Sequence, residues 1–260
     1  MADLPEQTPR VVFVTGASAG FGAVIARRFA QRGSRIVALA RRAKRLDTLA
    51  DELGRARVFP LALDIADRSG LEQAVTGLPP EFAAIDLLVN NAGLALGLDP
   101  AQRADLEDWA RMVDTNCKGL VYATRVVLPG MVARGRGHVI NIGSTAATYP
   151  YSGGNVYGAT KAFVHQFSQN LRSDLHGTGI RVSCIEPGLV GGTEFSEVRF
   201  HGDRSRAAEV YTGTRPLTPE DVADVVEWVA LRPERVNVNT IELMPTDQSY
   251  AGLQILRTKR

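Results

Sequence analysis

Tyr157 and Lys161 are the two residues of this sequence whose types and spacing point most directly to catalysis. They lie four residues apart in YGATK, inside a predicted helix, so the phenol and the ammonium share one helix face. A free phenol has a pKa of about 10, and a neighbouring ammonium lowers it by favouring the phenolate. A tyrosine tuned in this way can exchange a proton with a substrate hydroxyl or carbonyl oxygen.

Two polar residues upstream are candidates to complete this site. Ser144 follows a predicted strand thirteen residues before Tyr157, and we expect its hydroxyl to hydrogen-bond the same substrate oxygen. We expect Asn116 to anchor a water chain behind Lys161. The alternative interpretation of the Tyr–Lys spacing is a surface pair, but the surrounding segment is rich in Gly, Ala and Phe rather than in charged residues.

A glycine-rich turn, TGASAGFG, follows the first predicted strand, and it predicts a nucleotide site. Its glycines allow a tight turn and a close approach of the backbone to a pyrophosphate at the helix N-terminus. The candidate cofactor residues of this turn are Gly16, Ser18, Ala19, Gly20, Phe21 and Gly22. The alternatives are an ordinary glycine-rich turn or a nucleophile elbow with Ser18 attacking and His201 as the histidine partner. The elbow is disfavoured because it normally follows a central strand and here it follows the first.

The end of the second predicted strand carries Arg41 and Arg42 where an NAD-binding protein carries an acid. Guanidinium groups suit a 2′-phosphate, so we expect NADP as cofactor, although a basic first turn of a solvated helix would look the same. Asp64, at the end of the third strand, either accepts from the adenine amino group or caps the next helix.

Short apolar runs alternate with amphipathic segments along the chain, which predicts an α/β fold with a doubly wound parallel sheet of about seven strands and helices on both faces. The predicted strands are Val11–Thr15, Arg35–Leu39, Val58–Ala62, Asp86–Asn90, His138–Ile142, Arg181–Glu186 and Thr240–Met244. The predicted helices are Phe21–Gln31, Arg42–Leu53, Ser69–Leu78, Trp109–Val132, Val156–His176 and Pro219–Leu231. We expect one domain over residues 1–260, with a flexible start at 1–9 and a C-terminal tail at 245–260.

Composition excludes several other classes of protein. The 260 residues carry a net charge of +2, which favours neither nucleic acid nor an anionic membrane as a partner. No run of eighteen apolar residues and no leader-like apolar segment is present, so we expect a cytoplasmic protein without a membrane span. Cys117 and Cys184 are expected to be free thiols, and the four histidines show no metal-ligand spacing, so no metal site is predicted.

Together, TGASAGFG, NNAG, Asn116, Ser144, YGATK and the EPG at 186–188 resemble the short-chain dehydrogenase/reductase family from about residue 10 to 245. The resemblance implies Tyr157 as acid/base, Lys161 lowering its pKa and holding the nicotinamide ribose, Ser144 orienting substrate and Asn116 completing a tetrad. The further cofactor positions that it implies are Ile65, Asn91, Gly93, Pro187, Gly188, Val190 and Thr193. INIGSTA and MPTDQSYAGL resemble members that oxidise serine, allo-threonine and other small 3-hydroxy acids with NADP, or reduce the products. Those members imply a homotetramer, with the tail at a subunit interface.

Three further hypotheses remain open at this stage. Arg199, in the loop after the sixth strand, is a candidate to bind a substrate carboxylate, or it pairs with Glu194 or Glu197 on the surface. The same loop, with Gly191 and Gly192 as a hinge, is either a lid or an ordinary surface loop. Another carbonyl substrate (ketone, dicarbonyl or acyl thioester) or a non-catalytic nucleotide-binding role would fit the same fold.

Overall fold

Seven parallel strands form a single sheet in the computed structural model, which describes residues 7–250. Their order across the sheet is β3-β2-β1-β4-β5-β6-β7. The strands are β1 Val11–Thr15, β2 Arg35–Ala40, β3 Val58–Ala62, β4 Leu87–Asn90, β5 Gly137–Ile142, β6 Ile180–Pro187 and β7 Thr240–Leu243. The order reverses between β1 and β4, where ligands of doubly wound sheets bind.

The helices cover both faces of this sheet. They are α1 Gly20–Gln31, α2 Ala43–Leu53, α3 Arg68–Thr76, α4 Pro80–Ala83, α5 Leu106–Val113, α6 Leu120–Arg134, α7 Asn155–Asp174, α8 Phe195–Arg199, α9 Arg204–Glu209 and α10 Pro219–Ala230. A π-helical turn, Asp114–Gly119, joins α5 to α6, and 3₁₀ turns lie at Ala101–Arg103 and Thr145–Ala147. The predicted fold class is therefore confirmed.

Alternate residues of the central strands feed two separate cores, which explains their continuous apolar sequences. Val12 and Val14 of β1 pack with α1 and α10 on one face, whereas Val11 and Phe13 pack with α6 and the end of α7 on the other. All five residues of β1 are buried. Because both faces are covered, β1 shows no polar alternation.

The seven predicted strands and six predicted helices are all present, with ends that shift by a few residues. The predicted helix Trp109–Val132 begins at Leu106 and contains the π-helical turn, and α4, α8 and α9 are short helices that the sequence pattern does not indicate. Short helices bury too little surface to leave a clear apolar periodicity.

The expected flexible start and C-terminal tail lie partly outside the described residues. Within the described part of the N-terminal segment, Thr8 is buried and the carbonyl of Pro9 accepts a hydrogen bond from Ser34 at 2.6 Å. Of the tail, Gln248 binds Leu189 and Tyr250 packs on Tyr149, with ring centroids 4.4 Å apart. Over residues 7–250, no helix has the length and apolar character needed to cross a bilayer.

Candidate active site

A cleft of about 630 Å³ opens at the carboxyl ends of the strands. The residues after β1, β2, β3, β4, β5 and β6 all contribute to its lining. The predicted residues that line it are Gly16, Ser18, Ala19, Gly20, Phe21, Arg41, Arg42, Asp64, Ile65, Asn91, Gly93, Ser144, Tyr157, Lys161, Pro187, Gly188, Val190, Thr193 and Arg199. Of the predicted site residues, Gly22 and Asn116 lie outside this lining.

The glycine-rich turn has the geometry that a dinucleotide requires. Gly16 and Gly20 adopt φ values of +70° and +52°, which disfavour residues with a side chain. A Cβ on Gly22 would lie 2.6 Å from the Asn91 Nδ2 and even closer to the Gly16 carbonyl oxygen. Gly22 therefore permits the close packing of α1 on the turn rather than contact with a ligand. Backbone and helix N-terminus thus form a cradle suited to a pyrophosphate.

Arg41 and Arg42 lie side by side at the end of β2, as the NADP hypothesis requires. Arg42 donates from Nε and NH2 to Ser18 Oγ at 3.2 and 3.1 Å, and from NH1 to Glu194 at 2.7 Å. Arg41 lies 3.9 Å from Asp64. Because Ser18 contacts Arg42 while His201 pairs with Asp108 at 2.9 Å, the nucleophile elbow with its histidine is not assembled.

Asp64 and Asn91 mainly shape the walls of the cleft. Asp64 Oδ1 accepts from the Ala66 amide at 3.0 Å, while Asp67, not Asp64, caps α3. The Asn91 side-chain amide donates to the Thr15 carbonyl at 2.9 Å and so joins the end of β4 to the glycine-rich turn. The helix-capping alternative for Asp64 is therefore wrong.

Tyr157, Lys161 and Ser144 come together because α7 lies against the end of β5. Lys161 Nζ donates to the Ile142 carbonyl at 2.8 Å and lies 5.9 Å from the Tyr157 ring centroid. The Ala146 amide donates to Ser144 Oγ at 3.1 Å, and the Ser144 hydroxyl hydrogen-bonds the Tyr157 phenol. Tyr157 and Lys161 are both buried, at 8% and 6% exposure.

Burial moves the pKa values of the Tyr157 phenol and the Lys161 ammonium toward their neutral forms. It raises the pKa of Tyr157 above its usual value, although the hydrogen bond from Ser144 and the charge of Arg199 act in the opposite direction. Burial also lowers the pKa of Lys161 to about 8. The expected net lowering of the Tyr157 pKa is therefore absent in the protein alone, because desolvation outweighs the nearby hydrogen bond and charge. The phenol is protonated at neutral pH.

The expected role of Asn116 as a water anchor stays a prediction, and its side chain is held by three hydrogen bonds within the protein. Its Oδ1 accepts from the Leu94 amide at 2.9 Å, and its Nδ2 donates to the Leu94 carbonyl at 2.8 Å and to Thr160 Oγ1 at 3.0 Å. Asn116 lies in the π-helical turn, a type of distortion that is frequent at functional sites. It fastens the loop after β4 to α7, one residue before Lys161.

Arg199 extends into the substrate end of the cleft from the end of α8. Its Cζ lies 5.1 Å from the Tyr157 ring centroid and 5.0 Å from that of Phe195. NH2 donates to Tyr151 Oη at 3.0 Å, whereas the buried Nε has no hydrogen-bond partner in the structure. Glu194 pairs with Arg42 and Arg45, and Glu197 pairs with Arg204. The expected surface pairing of Arg199 with either glutamate is therefore wrong.

A second polar cluster lies behind Lys161, where sequence spacing predicts nothing. His165 Nδ1 and Glu186 Oε1 are 2.7 Å apart, and the Cys184 thiol lies 3.6 Å from the same oxygen. The three groups are of metal-ligating type and lie within 4.8 Å of one another. The positions of the histidines along the sequence did not reveal this grouping, because the three residues meet only in the fold. Both cysteines are free, and burial raises the pKa of the Cys184 thiol to about 12.

Three residues of the site were missed by sequence reasoning or given only a surface role. Tyr151 contacts Arg199, Glu194 contacts Arg42, and Glu186 contacts His165. Each acts through a partner that is 21 to 152 positions away in the chain, so local spacing carries no signal for the pairing.

Comparison with known proteins agrees with this geometry. A sequence profile described as short chain dehydrogenase matches residues 10–203. The "NADP-dependent 3-hydroxy acid dehydrogenase YdfG" of Escherichia coli (strain K12) is 60% identical over 247 residues, which cover 95% of this chain and 99% of that protein. The "Serine 3-dehydrogenase" of Rhizobium radiobacter is 50% identical over 246 residues, which cover 95% and 98%.

Solved structures show the same similarity. A structure described as the closed form of serine dehydrogenase complexed with NADP+ has a TM-score of 0.94 at 60% identity, and the alignment covers 95% of this chain and 100% of that one. The serine dehydrogenase of Escherichia coli has a TM-score of 0.82 at 55% identity, covering 92% and 100%.

Proposed function

The chain belongs to the short-chain dehydrogenase family, and we propose that it uses NADP(H) to interconvert small 3-hydroxy acids with their 3-oxo acids or semialdehydes. The proposal rests on a family of oxidoreductases that act on hydroxyl groups, on close relatives named for NADP, 3-hydroxy acids and serine, and on the cleft itself. The observation that carries it is Arg199, a cation beside Tyr157 with a buried nitrogen that lacks a partner.

The residues of the cleft fit the cofactor. The turn at Gly16 and Gly20 would hold the pyrophosphate, and Arg41 with one edge of Arg42 would hold a 2′-phosphate. Lys161 and Asn91 would lie toward the nicotinamide riboside. When bound, NADP(H) supplies the hydride acceptor or donor.

Tyr157 performs the proton transfer in this proposal. In reduction, its protonated phenol gives the proton to the carbonyl oxygen as that oxygen gains negative charge, and Ser144 hydrogen-bonds the same oxygen. In oxidation, the deprotonated phenolate of Tyr157 takes the proton of the substrate hydroxyl and becomes the neutral phenol again. The raised pKa of Tyr157 keeps the phenol ready to act as an acid at neutral pH. Lys161, fastened to the Ile142 carbonyl, holds positive charge one helical turn away.

Arg199 and Tyr151 bind the substrate carboxylate. The guanidinium of Arg199 donates from a fixed planar fork, and Tyr151 Oη lies 3.0 Å from its NH2, so both can face one carboxylate. A substrate held at its carboxylate presents its third carbon to Tyr157 in one orientation. The phenyl ring of Phe195, 5.8 Å from that of Tyr157, gives this end of the cleft an apolar wall.

The test compares one charged substrate with an uncharged analogue. The kcat/KM for 3-hydroxypropionate and for its methyl ester is measured with NADP+ for the wild type and Arg199→Met. We expect the wild type to prefer the acid and the variant to lose about 10²-fold or more on the acid but little on the ester. Equal losses on both substrates would reject the carboxylate role, and turnover confined to ketones or acyl thioesters would favour another carbonyl substrate.

We further propose that the protein is a cytoplasmic homotetramer. The support is the family resemblance, together with large apolar side chains that remain exposed on single chains, among them Phe163 on α7 and Trp228 on α10. Light scattering gives the assembly mass, to be compared with 28.1 kDa for one chain.

A further inference from the structure

An ion-pair cluster joins the two walls of the cofactor cleft. One wall is the glycine-rich turn with the start of α2, and the other is the loop between β6 and α8. Glu194, at the N-terminal end of α8, reaches across to α2, where it accepts from Arg42 NH1 at 2.7 Å and from Arg45 NH1 and NH2 at 3.0 and 2.8 Å. Arg45 therefore holds both oxygens of the carboxylate.

Packing beside the cluster shows that the two walls are in close approach. A Cβ built on Gly20 would lie 3.4 Å from the Thr193 methyl group, so the residue before Glu194 lies directly over the glycine-rich turn. The opposite end of α8 is also anchored, because the Arg199 carbonyl accepts from the Gly97 amide at 2.8 Å. Residues 193–199 therefore form a strap, fixed at one end to α2 and at the other beside the substrate site.

The cluster leaves room for a 2′-phosphate on Arg42. The Nε and NH2 edge of Arg42 donates to the Ser18 hydroxyl at 3.2 and 3.1 Å, and NH1 donates to Glu194 at 2.7 Å. The Nε–NH2 edge of an arginine can donate two parallel hydrogen bonds to a phosphate. Arg41 adds a second cation on the same side. A 2′-phosphate that shared this edge with Ser18 Oγ, or replaced it, would leave the contact between Arg42 NH1 and Glu194 in place.

The negative charge of Glu194 and its two arginine partners both favour a persistent contact between the two walls. Hydrogen bonds from Arg45 and then Arg42 lower the pKa of Glu194, so the carboxylate is ionised at neutral pH. Exposed pairs contribute little singly, but a carboxylate shared by two arginines is a network. A dinucleotide that leaves the cleft between these two walls has to pass the cluster, so release by this path would require the cluster to open.

We propose that Glu194, held by Arg42 and Arg45, is a cofactor-retaining residue that keeps the strap of residues 193–199 closed over bound NADP(H). It touches neither the reacting carbon nor Tyr157, so its effect is on the residence time of the cofactor. Arg45 is outside the cleft lining. Replacing it therefore removes the ion pair that holds the strap closed without removing a candidate phosphate contact.

The experiment measures NADPH release without any hydroxy acid, so its outcome is separate from the substrate assignment. Protein with bound NADPH is mixed with excess NADP+ in a stopped-flow instrument, and the loss of bound-cofactor fluorescence gives the release rate at low and at about 0.5 M salt. Glu194→Gln and Arg45→Gln should each speed release about three- to tenfold at low salt, with a smaller effect at high salt. The double variant should be no faster than either single one.

The matched control is Glu52→Gln. Glu52 accepts from Arg27 at 2.7 and 2.8 Å, with an exposure close to that of the Glu194–Arg45 pair, but it lies away from the cleft. It should leave the release rate unchanged. Unchanged release in Glu194→Gln, or strictly additive effects in the double variant, would overturn the proposal. Slower release would also overturn it, because the carboxylate would then be a competitor of the 2′-phosphate.

Discussion

At the scale of single residues, Tyr157 is the group on which the proposed chemistry depends. Replacing it by Phe keeps the ring against Phe195 but removes the proton that moves to and from substrate. We expect kcat to fall about 10²–10⁴-fold while NADPH still binds, as measured by steady-state kinetics and fluorescence titration. Tyr122→Phe, on α6 outside the cleft, is the matched control. A Tyr157→Phe enzyme with more than a tenth of wild-type kcat would contradict the role.

The charge of Lys161 sets an expected pH dependence. Its pKa is lowered to about 8 by burial, so the ammonium is present below that pH and lost above it, while Tyr157, with a raised pKa, stays protonated. For NADPH-dependent reduction, kcat/KM should therefore decline on the alkaline side with an apparent pKa of about 8. In Lys161→Arg the cation persists, so the decline should move to higher pH. If the alkaline decline of kcat/KM stays at the same pH in Lys161→Arg, a group other than Lys161 is responsible for it.

We expect the arginines at the end of β2 to decide the choice between NADP and NAD. Each charge-assisted hydrogen bond to a phosphate contributes about 1.5–3 kcal/mol, so two arginines favour NADP over NAD by roughly 10²–10⁴-fold. Arg41→Ala combined with Arg42→Ala should raise KM for NADP far more than for NAD. Wild-type kcat/KM values that are equal for the two cofactors would contradict this assignment.

At the scale of elements, Asn116 fastens the loop after β4 to α7. It is 1% exposed and makes three hydrogen bonds, two to Leu94 and one to Thr160. Asn116→Ala leaves these partners unsatisfied, so we expect a loss of about 2–4 kcal/mol in the free energy of unfolding, measured by urea titration. Asn170→Ala, on the exposed face of α7, should change it little. Wild-type stability in Asn116→Ala would show that the clamp is unimportant.

The junction of β1 and α1 sets a second expectation at this scale. A Cβ at Gly22 would collide with the Asn91 side chain and the Gly16 carbonyl, so Gly22→Ala has to open the glycine-rich turn. We expect weaker NADPH binding by tenfold or more in fluorescence titration. At Gly130 in α6 the nearest atom to a new Cβ is the flexible end of Arg134, at 3.2 Å, and Gly130→Ala should bind NADPH normally. Equal binding by the two variants would contradict the packing argument.

At the scale of the whole molecule, the distribution of charge in the cleft selects among 3-hydroxy acids. The acidic residues among its described lining, Asp64 and Glu194, both lie near arginines at the adenosine end. An ammonium next to the substrate carboxylate therefore has no carboxylate partner beside Tyr157 and Arg199. We expect 3-hydroxypropionate to show a higher kcat/KM than serine at pH 7, in a direct comparison with NADP+. A preference for serine would require an ammonium site made of neutral oxygens.

Much of this architecture follows from local sequence. Strands buried on both faces carry continuous apolar residues, and the turn after the first of them requires glycine at Gly16 and Gly20 because φ is positive there. The spacing of Tyr157 and Lys161 places both on one face of α7. The sheet, its approximate strands and the side of the sheet that holds the site could therefore be predicted, because each depends on interactions within a few residues.

Only the tertiary structure decided which distant residues meet. Arg199 pairs with neither Glu194 nor Glu197, because Arg42 and Arg45 hold Glu194 and Arg204 holds Glu197. The pKa of Tyr157 is raised because packing buries the phenol. Asn116 clamps the loop after β4 because Leu94 lies within its reach. Pairings across the sheet and between loops depend on strand order and burial, which no local pattern encodes. Desolvation likewise depends on the whole fold, so the sequence identified the chemical groups and the packing determined their partners and protonation.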